Sequence, residues 1–175
     1  VRADLGDAVD CILDGGPCRV GVESTILDCT VDPPEVLRPG GVGIERLAAL
    51  LGQPPERWRG DRAVAAPGTL AAHYAPAARV VVVEADEIAA AAAELVAAGE
   101  RVAVLAPAPV SGLDPAVVSL GPAGDAERYA RVLYQRLREA DRLGTEVVLA
   151  VPPPADGVGL AVRDRLERAA RAQRP

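Results

Sequence analysis

Residues 79–84 read Arg-Val-Val-Val-Val-Glu, four β-branched residues between charged ends, which indicates a short strand buried on both faces. Further short apolar runs occur at 101–106, 116–120 and 146–151, and segments with helical spacing lie among them. Strands that alternate with helices are typical of a parallel sheet. Residues 79–175 are therefore predicted to form an α/β domain, an open and mostly parallel sheet with helices on both faces.

Three segments of this domain carry the helical pattern. Asp86 is predicted to cap the first helix, which ends at Gly99. The second is predicted over 125–143 and the third over 160–172. Because the arginines of the last segment alternate with acids, we expect them to form a solvated face. These arginines are Arg163, Arg165, Arg168, Arg171 and Arg174.

Residues 1–52 differ in composition, being rich in glycine, aspartate and short apolar runs. Strands are predicted at 20–27 and 35–37, and a helix at 44–51 that stops at Gly52. Residues 1–52 form an α+β piece that is too small to close a core alone.

Residues 53–78 contain several prolines and no periodicity, so they are predicted to be a linker or a functional arm. This segment holds the single histidine, His73, followed by Tyr74. A lone histidine is more often structural than catalytic, and no serine or cysteine partner for a triad is nearby. The alternative is that the imidazole and phenol fold over a base or sugar, as lids do.

Composition argues against several classes of function. The chain has 175 residues, half of them apolar, and a net charge of −6, so it lacks the basic surplus that drives nucleic-acid binding. No apolar run is long enough to cross a membrane. The three cysteines are widely spaced without a CxxC pair, and they are interpreted as reduced thiols packed as small hydrophobes in the cytoplasm.

A group of polar residues interrupts the predicted strand at 20–27. Because side chains alternate across a sheet, Ser24 is expected on one side and Glu23 and Thr25 on the other. Two interpretations are equally favoured by the residues alone. One is an edge strand whose central residues face solvent. The other is a ligand cavity with Ser24 as hydrogen-bond donor and acceptor.

Arg38 ends the second predicted strand, where a side chain can reach a cleft. Its guanidinium is a natural partner for phosphate. A surface ion pair with Glu35 or Glu45 is the alternative, and the residues alone favour it. The chain has no GxGxxG or P-loop motif, and the short GxG at 157–159 is interpreted as a backbone turn.

Several motifs in a fixed order carry a resemblance. They are Asp-Gly-Gly-Pro-Cys at 14–18, Gly-Val-Glu-Ser-Thr at 21–25, Leu-Arg-Pro-Gly-Gly at 37–41, Pro-Gly at 67–68, His-Tyr-Ala-Pro at 73–76 and Gly-Leu-Ala-Val-Arg-Asp-Arg-Leu at 159–166. Over nearly its whole length the chain strongly resembles the two-domain threonylcarbamoyl-AMP synthases. The resemblance implies a part of a YrdC-like catalytic domain at 1–52, a linker crossing the active cleft at 53–78, and a Rossmann-like accessory domain at 79–175.

The resemblance also implies a nucleotidyltransferase activity. The family makes threonylcarbamoyl-AMP and pyrophosphate from L-threonine, bicarbonate and ATP with Mg²⁺, for threonylcarbamoyladenosine formation in tRNA. A downstream tRNA-modifying transferase complex is a possible partner. By match to the family motifs, Ser24 is expected to contact L-threonine, Arg38 the ATP phosphates, and Tyr74 the nucleotide. No covalent catalytic residue and no protein-held metal are implied by this chain.

Two motifs of the family are missing from the sequence. The Lys-bearing nucleotide motif and the Ser-Ala-Asn segment are not present, and the chain contains no Lys and no Asn at all. We therefore expect a carboxy-terminal part of such a synthase that is inactive alone. The alternative is a non-enzymatic nucleotide-binding or docking module that regulates a separate catalytic chain.

Overall fold

A computed structural model describes residues 2–60 and 76–172. The first range begins with a short helix, α1 (Arg2–Leu5), and a 3-10 turn at Gly6–Ala8. A three-stranded sheet follows, in which β1 (Ile26–Asp28) is antiparallel to β2 (Glu35–Arg38). Between β2 and the third strand lies α2 (Ile44–Leu51).

The end of α2 confirms the predicted helix and its glycine stop. Gly52 has a φ of 76°, a left-handed conformation that glycine adopts without the strain a Cβ brings. Its N–H donates to the Ala48 carbonyl, which would otherwise lack a partner at the helix end.

The third strand of this sheet lies inside the segment predicted as a linker. It is β3 (Glu56–Arg57), which pairs in parallel with β2. Residues 61–75 of the same segment lie outside the described residues.

The predicted strand at 20–27 is largely wrong, because β1 begins only at Ile26. Glu23 and Thr25 bond to the chain after β2 at separate points instead of through a ladder. The Gly41 N–H donates to the Glu23 carbonyl at 2.9 Å, and the Thr25 hydroxyl takes the next position by bonding Val42. A side-chain hydroxyl thus replaces the backbone acceptor that a continuous strand would offer.

The larger sheet is parallel throughout, in the order β4-β7-β5-β6. Its strands are β4 (Arg79–Val82), β5 (Val102–Ala106), β6 (Val118–Pro122) and β7 (Val147–Ala150). The helices are α3 (Ile88–Ala97), α4 (Ala126–Arg142) and α5 (Gly159–Arg171).

Helices cover both faces of this sheet, which confirms the predicted α/β architecture. Strand β7 shows the division, since Val148 packs with α4 and α5 whereas Leu149 packs with α3. All four residues of β7 are buried. The continuous apolar runs of the sequence therefore follow from burial on both faces.

Two smaller predictions need correction. Asp86 does not cap α3, whose N-cap is Glu87 with no side-chain hydrogen bond, whereas Asp125 caps α4 by accepting from the Arg128 N–H at 2.8 Å. The cysteines, predicted to pack as hydrophobes, are free and exposed. They lie in residues 2–60 with the three-stranded sheet, called here the small unit, which has little interior in which to bury them. No helix within residues 2–60 and 76–172 is long and apolar enough to cross a membrane.

Candidate functional site

The structure brings Ser24 and Arg38 into direct contact. Arg38 Nη2 donates to the Ser24 carbonyl at 2.9 Å and to Ser24 Oγ at 3.3 Å, and Nε donates to the same carbonyl at 3.2 Å. Arg38 is buried, 8% exposed, while Ser24 is exposed. Arg38 is therefore not the surface side chain that the residues alone favoured, because its guanidinium turns inward to the 23–25 segment.

The glycine after this arginine makes the contact sterically feasible. A Cβ placed on Gly40 would lie 2.3 Å from both the Ser24 carbonyl carbon and the Thr25 nitrogen, so only hydrogen fits there. The Thr25 hydroxyl donates to the Val42 carbonyl at 2.7 Å and accepts from the Val42 N–H at 3.0 Å. The two motifs at 21–25 and 37–41 therefore pack backbone to backbone.

Glu23 joins this segment to the larger unit, which consists of residues 76–172 with the four-stranded sheet. Its carboxylate accepts from Arg165 Nε at 3.0 Å and from the Tyr134 hydroxyl at 3.2 Å. Arg165 lies on α5 and Tyr134 on α4. The three polar residues that interrupt the predicted strand thus bond to different partners: Glu23 to Arg165 and Tyr134, Ser24 to Arg38, and Thr25 to Val42.

The predicted solvated face of α5 is wrong for its central residues. Arg165 is 7% exposed and Asp164 is 6% exposed. Asp164 accepts from Arg168 Nε at 2.7 Å and from Arg57 Nη2 at 3.1 Å, and Arg57 lies on β3. Arg171, with a side chain 68% exposed, does follow the prediction. The alternation of charges along α5 does not show which of its charged residues are buried and which are exposed.

Burial and neighbouring charges together set the pKa values of Glu23, Tyr134 and Arg165. Burial raises the pKa of Glu23, but its own backbone N–H and the Arg165 charge outweigh burial and hold the pKa below the ordinary value. Burial, with the Glu23 charge, raises the pKa of Tyr134 to about 12. Burial lowers the pKa of Arg165, but the Glu23 charge has the larger opposite effect, so the pKa lies above its ordinary value. At neutral pH, Glu23 is an anion that accepts hydrogen bonds from the Arg165 guanidinium and the neutral Tyr134 phenol.

Chemically, the contact joins a hydroxyl and a guanidinium. A serine hydroxyl both donates and accepts, and a guanidinium is permanently charged with a fork of N–H donors suited to carboxylate or phosphate. Tyr74 and His73 lie outside the described residues. Within residues 2–60 and 76–172, no three His, Cys, Asp or Glu side chains gather where they could hold a metal ion.

Two family descriptions match consecutive parts of the chain. Residues 42–171 match the family described as "Threonylcarbamoyl-AMP synthase, C-terminal domain", and residues 1–40 match the one described as "Telomere recombination". The chain belongs to the threonylcarbamoyl-AMP synthase family.

Members of this family from distant organisms align along almost the whole chain. The threonylcarbamoyl-AMP synthase of Pyrococcus abyssi is 37% identical over 179 residues, which cover 97% of this chain and 52% of that protein. The Bacillus subtilis threonylcarbamoyl-AMP synthase is 36% identical, with 97% and 51% covered. The chain spans about half the length of these curated relatives.

A solved structure of the family has the same fold over these residues. The crystal structure of P. abyssi Sua5 complexed with L-threonine aligns with a TM-score of 0.83 and 35% identity, covering 98% of this chain and 52% of that one. The packing of the small sheet unit against the larger α/β unit is therefore shared with a member of the family.

Proposed function

We propose that this chain contributes Ser24 and Arg38 to the substrate site of an L-threonylcarbamoyladenylate synthase. The observation that carries the proposal is the contact of these two motif residues, 14 positions apart in sequence, through a 2.9 Å hydrogen bond. The P. abyssi relative was crystallised with L-threonine, which supports that amino acid as a substrate. The other substrates are bicarbonate and ATP, with Mg²⁺ carried by the nucleotide.

The reaction asks a protein for positioning and charge stabilisation. Bicarbonate takes up a proton and loses water to give CO₂, and the threonine amine adds to CO₂ and releases a proton to form a carbamate. A carbamate oxygen then attacks the α-phosphorus of ATP while the bond to pyrophosphate breaks. In this scheme the Ser24 hydroxyl binds L-threonine and the Arg38 guanidinium binds the ATP phosphates. For Tyr74, which lies outside the described residues, the family resemblance supports a role in contacting the nucleotide. A hydrogen-bonding and electrostatic site of this kind needs no covalent nucleophile.

The cellular setting is also part of the proposal. Threonylcarbamoyl-AMP would pass to a tRNA-modifying transferase complex for threonylcarbamoyladenosine formation, in the cytoplasm. The three free cysteines are compatible with a reducing compartment. The acidic net charge of −6 argues against tRNA binding by this chain itself.

Binding of L-threonine to the 175-residue chain tests the role of Ser24. We expect Ser24→Ala to weaken binding about tenfold, the loss of one hydrogen bond of about 1.4 kcal/mol. Ser111→Ala, an exposed serine of the larger unit, is the matched control and should bind as the wild type does. Equal affinity in Ser24→Ala and the control, or no binding by the wild type, would overturn the proposal.

Pyrophosphate release separates the enzyme from the docking module. Because the Lys-bearing and Ser-Ala-Asn motifs are not in this sequence, we expect little turnover by the chain alone. Addition of a separately made amino-terminal half of the B. subtilis relative should restore release that depends on L-threonine and bicarbonate. Association without turnover would instead favour a module that regulates another catalytic chain.

A further inference from the structure

Arg165 contacts both chain segments that hold the Ser24–Arg38 contact. Its Nε donates to Glu23 Oε2 at 3.0 Å, and its Nη2 donates to the Pro39 carbonyl at 3.2 Å. Glu23 directly precedes Ser24, and Pro39 directly follows Arg38. One guanidinium on the last helix therefore bonds to both segments, next to each member of the contact.

The position of this guanidinium is itself fixed. The Arg165 side chain is 6% exposed, and its third nitrogen, Nη1, donates to Asp164 Oδ2. Asp164 is in turn held by Arg57 of β3 and by Arg168, one turn further along α5. A buried, hydrogen-bonded ion network of this kind permits few alternative side-chain positions.

The 23–25 segment depends on such tertiary contacts because it is not part of a strand ladder. Strand β1 begins at Ile26, so Ser24 lies before the regular sheet. Its location relative to Arg38 is set by the bonds of its neighbours, and Glu23 bonds to Tyr134 and Arg165 of the larger unit.

We infer that Arg165 is a positioning residue for the Ser24–Arg38 site. It holds the Glu23 side chain and the Pro39 carbonyl at the separation that lets Arg38 reach the Ser24 carbonyl. The planar fork of arginine bonds two acceptors in fixed directions, which a lysine ammonium does not do. The consequence for substrate affinity rests on the proposed function, whereas the geometric role does not.

The Arg38 Nε–H signal in a ¹⁵N–¹H NMR correlation spectrum of the ¹⁵N-labelled 175-residue chain reports directly on the contact between Arg38 and Ser24. We expect Arg165→Lys and Glu23→Gln to move or broaden this signal while the core amides of Val148 and Leu149 keep their positions. The matched control is Arg171→Lys, an exposed arginine of the same helix, which should leave the Arg38 signal unchanged. L-Threonine affinity should fall about tenfold in Arg165→Lys and stay unchanged in the control.

An unchanged Arg38 signal in both Arg165→Lys and Glu23→Gln would overturn the inference. Loss of the Val148 and Leu149 amide signals in both variants would also overturn it, because Arg165 would then be needed for folding as a whole. If the wild-type chain does not bind L-threonine, the proposed function fails, and the Arg38 signal alone decides the positioning role.

Discussion

Glu23 and Arg165 are 142 residues apart in the sequence, and a carboxylate oxygen of one lies 2.9 Å from a guanidinium nitrogen of the other. The pair joins the segment before β1 to the last helix of the chain. Burying a charge pair costs solvation, which the attraction of the two charges offsets only when further hydrogen bonds satisfy their remaining polar groups. Here Tyr134 bonds to the carboxylate, and Asp164 and the Pro39 carbonyl bond to the guanidinium. An ionic contact with these further hydrogen bonds thus joins the small unit to the larger one.

Acid should weaken this contact in a measurable way. The folded-state pKa of Glu23 lies below its ordinary value of 4.5, so its ionised form stabilises the fold above that pH. This stabilisation is lost as the pH falls from 4.5 through the lowered folded-state value. The facing groups are Arg165, Tyr134 and Asp164, and at these pH values the first stays a cation and the second a neutral phenol.

Urea unfolding of wild type and Glu23→Gln between pH 7 and pH 3 measures the effect. We expect the variant to be less stable at pH 7 and the difference in unfolding free energy to shrink below pH 4.5. Glu94→Gln, on an exposed position of α3, should run parallel to the wild type. A difference between Glu23→Gln and wild type that is constant over this range would contradict the prediction.

Asp164 should be much more sensitive to neutralisation than its neighbour Glu167. Asp164→Asn removes the charge that Arg165, Arg168 and Arg57 share at a 6% exposed position, and we expect a loss of about 3 kcal/mol in the free energy of unfolding. Glu167→Gln breaks an exposed pair with Arg171 and should cost less than about 1 kcal/mol. Urea denaturation of both variants gives the comparison, and equal losses would show that the buried network adds no stability.

The larger unit follows closely from local patterns in the sequence. Apolar runs such as 101–106 and 146–151 correspond to β5 and β7, because strands buried on both faces need no alternation. The apolar spacing of α4 and its Asp125 cap also determine that helix locally. Asp86 failed as a cap because a nearby turn, with the Glu87 N–H donating to the Glu84 carbonyl, already begins the helix.

Two residues of the candidate site stand out in the sequence, but the geometry of their contact does not follow from it. Ser24 and Arg38 stand out as polar residues in short apolar segments, and the structure does place them together. The burial of Arg165 could not be predicted, since its partners Glu23 and Pro39 are more than 120 positions away. Charge alternation along a helix describes only that helix, whereas burial depends on what packs against it.

Thr25 should matter through its hydroxyl and not through its size. The hydroxyl bonds both the carbonyl and the N–H of Val42, at 2.7 and 3.0 Å. Thr25→Val keeps the shape but leaves both backbone groups without this partner, and we expect a loss of about 1–2 kcal/mol in the free energy of unfolding. Thr25→Ser retains the hydroxyl and should lose less. Thermal or urea unfolding ranks the two variants, and a more damaging serine would contradict the role of the hydroxyl.

Gly40 is the position where the smallest addition should do the most harm. An alanine Cβ there would meet the backbone of Ser24 and Thr25 at 2.3 Å, and backbone atoms cannot rotate aside as a flexible side chain can. We expect Gly40→Ala to lower the free energy of unfolding by about 2 kcal/mol and to separate Arg38 from Ser24. Gly15→Ala is the matched control, because nothing lies within 4 Å of its Cβ position and its stability should change by less than about 1 kcal/mol. Urea midpoints of the two variants measure the difference, and a Gly40→Ala protein as stable as Gly15→Ala would show that the 21–25 and 37–41 segments are not packed backbone to backbone.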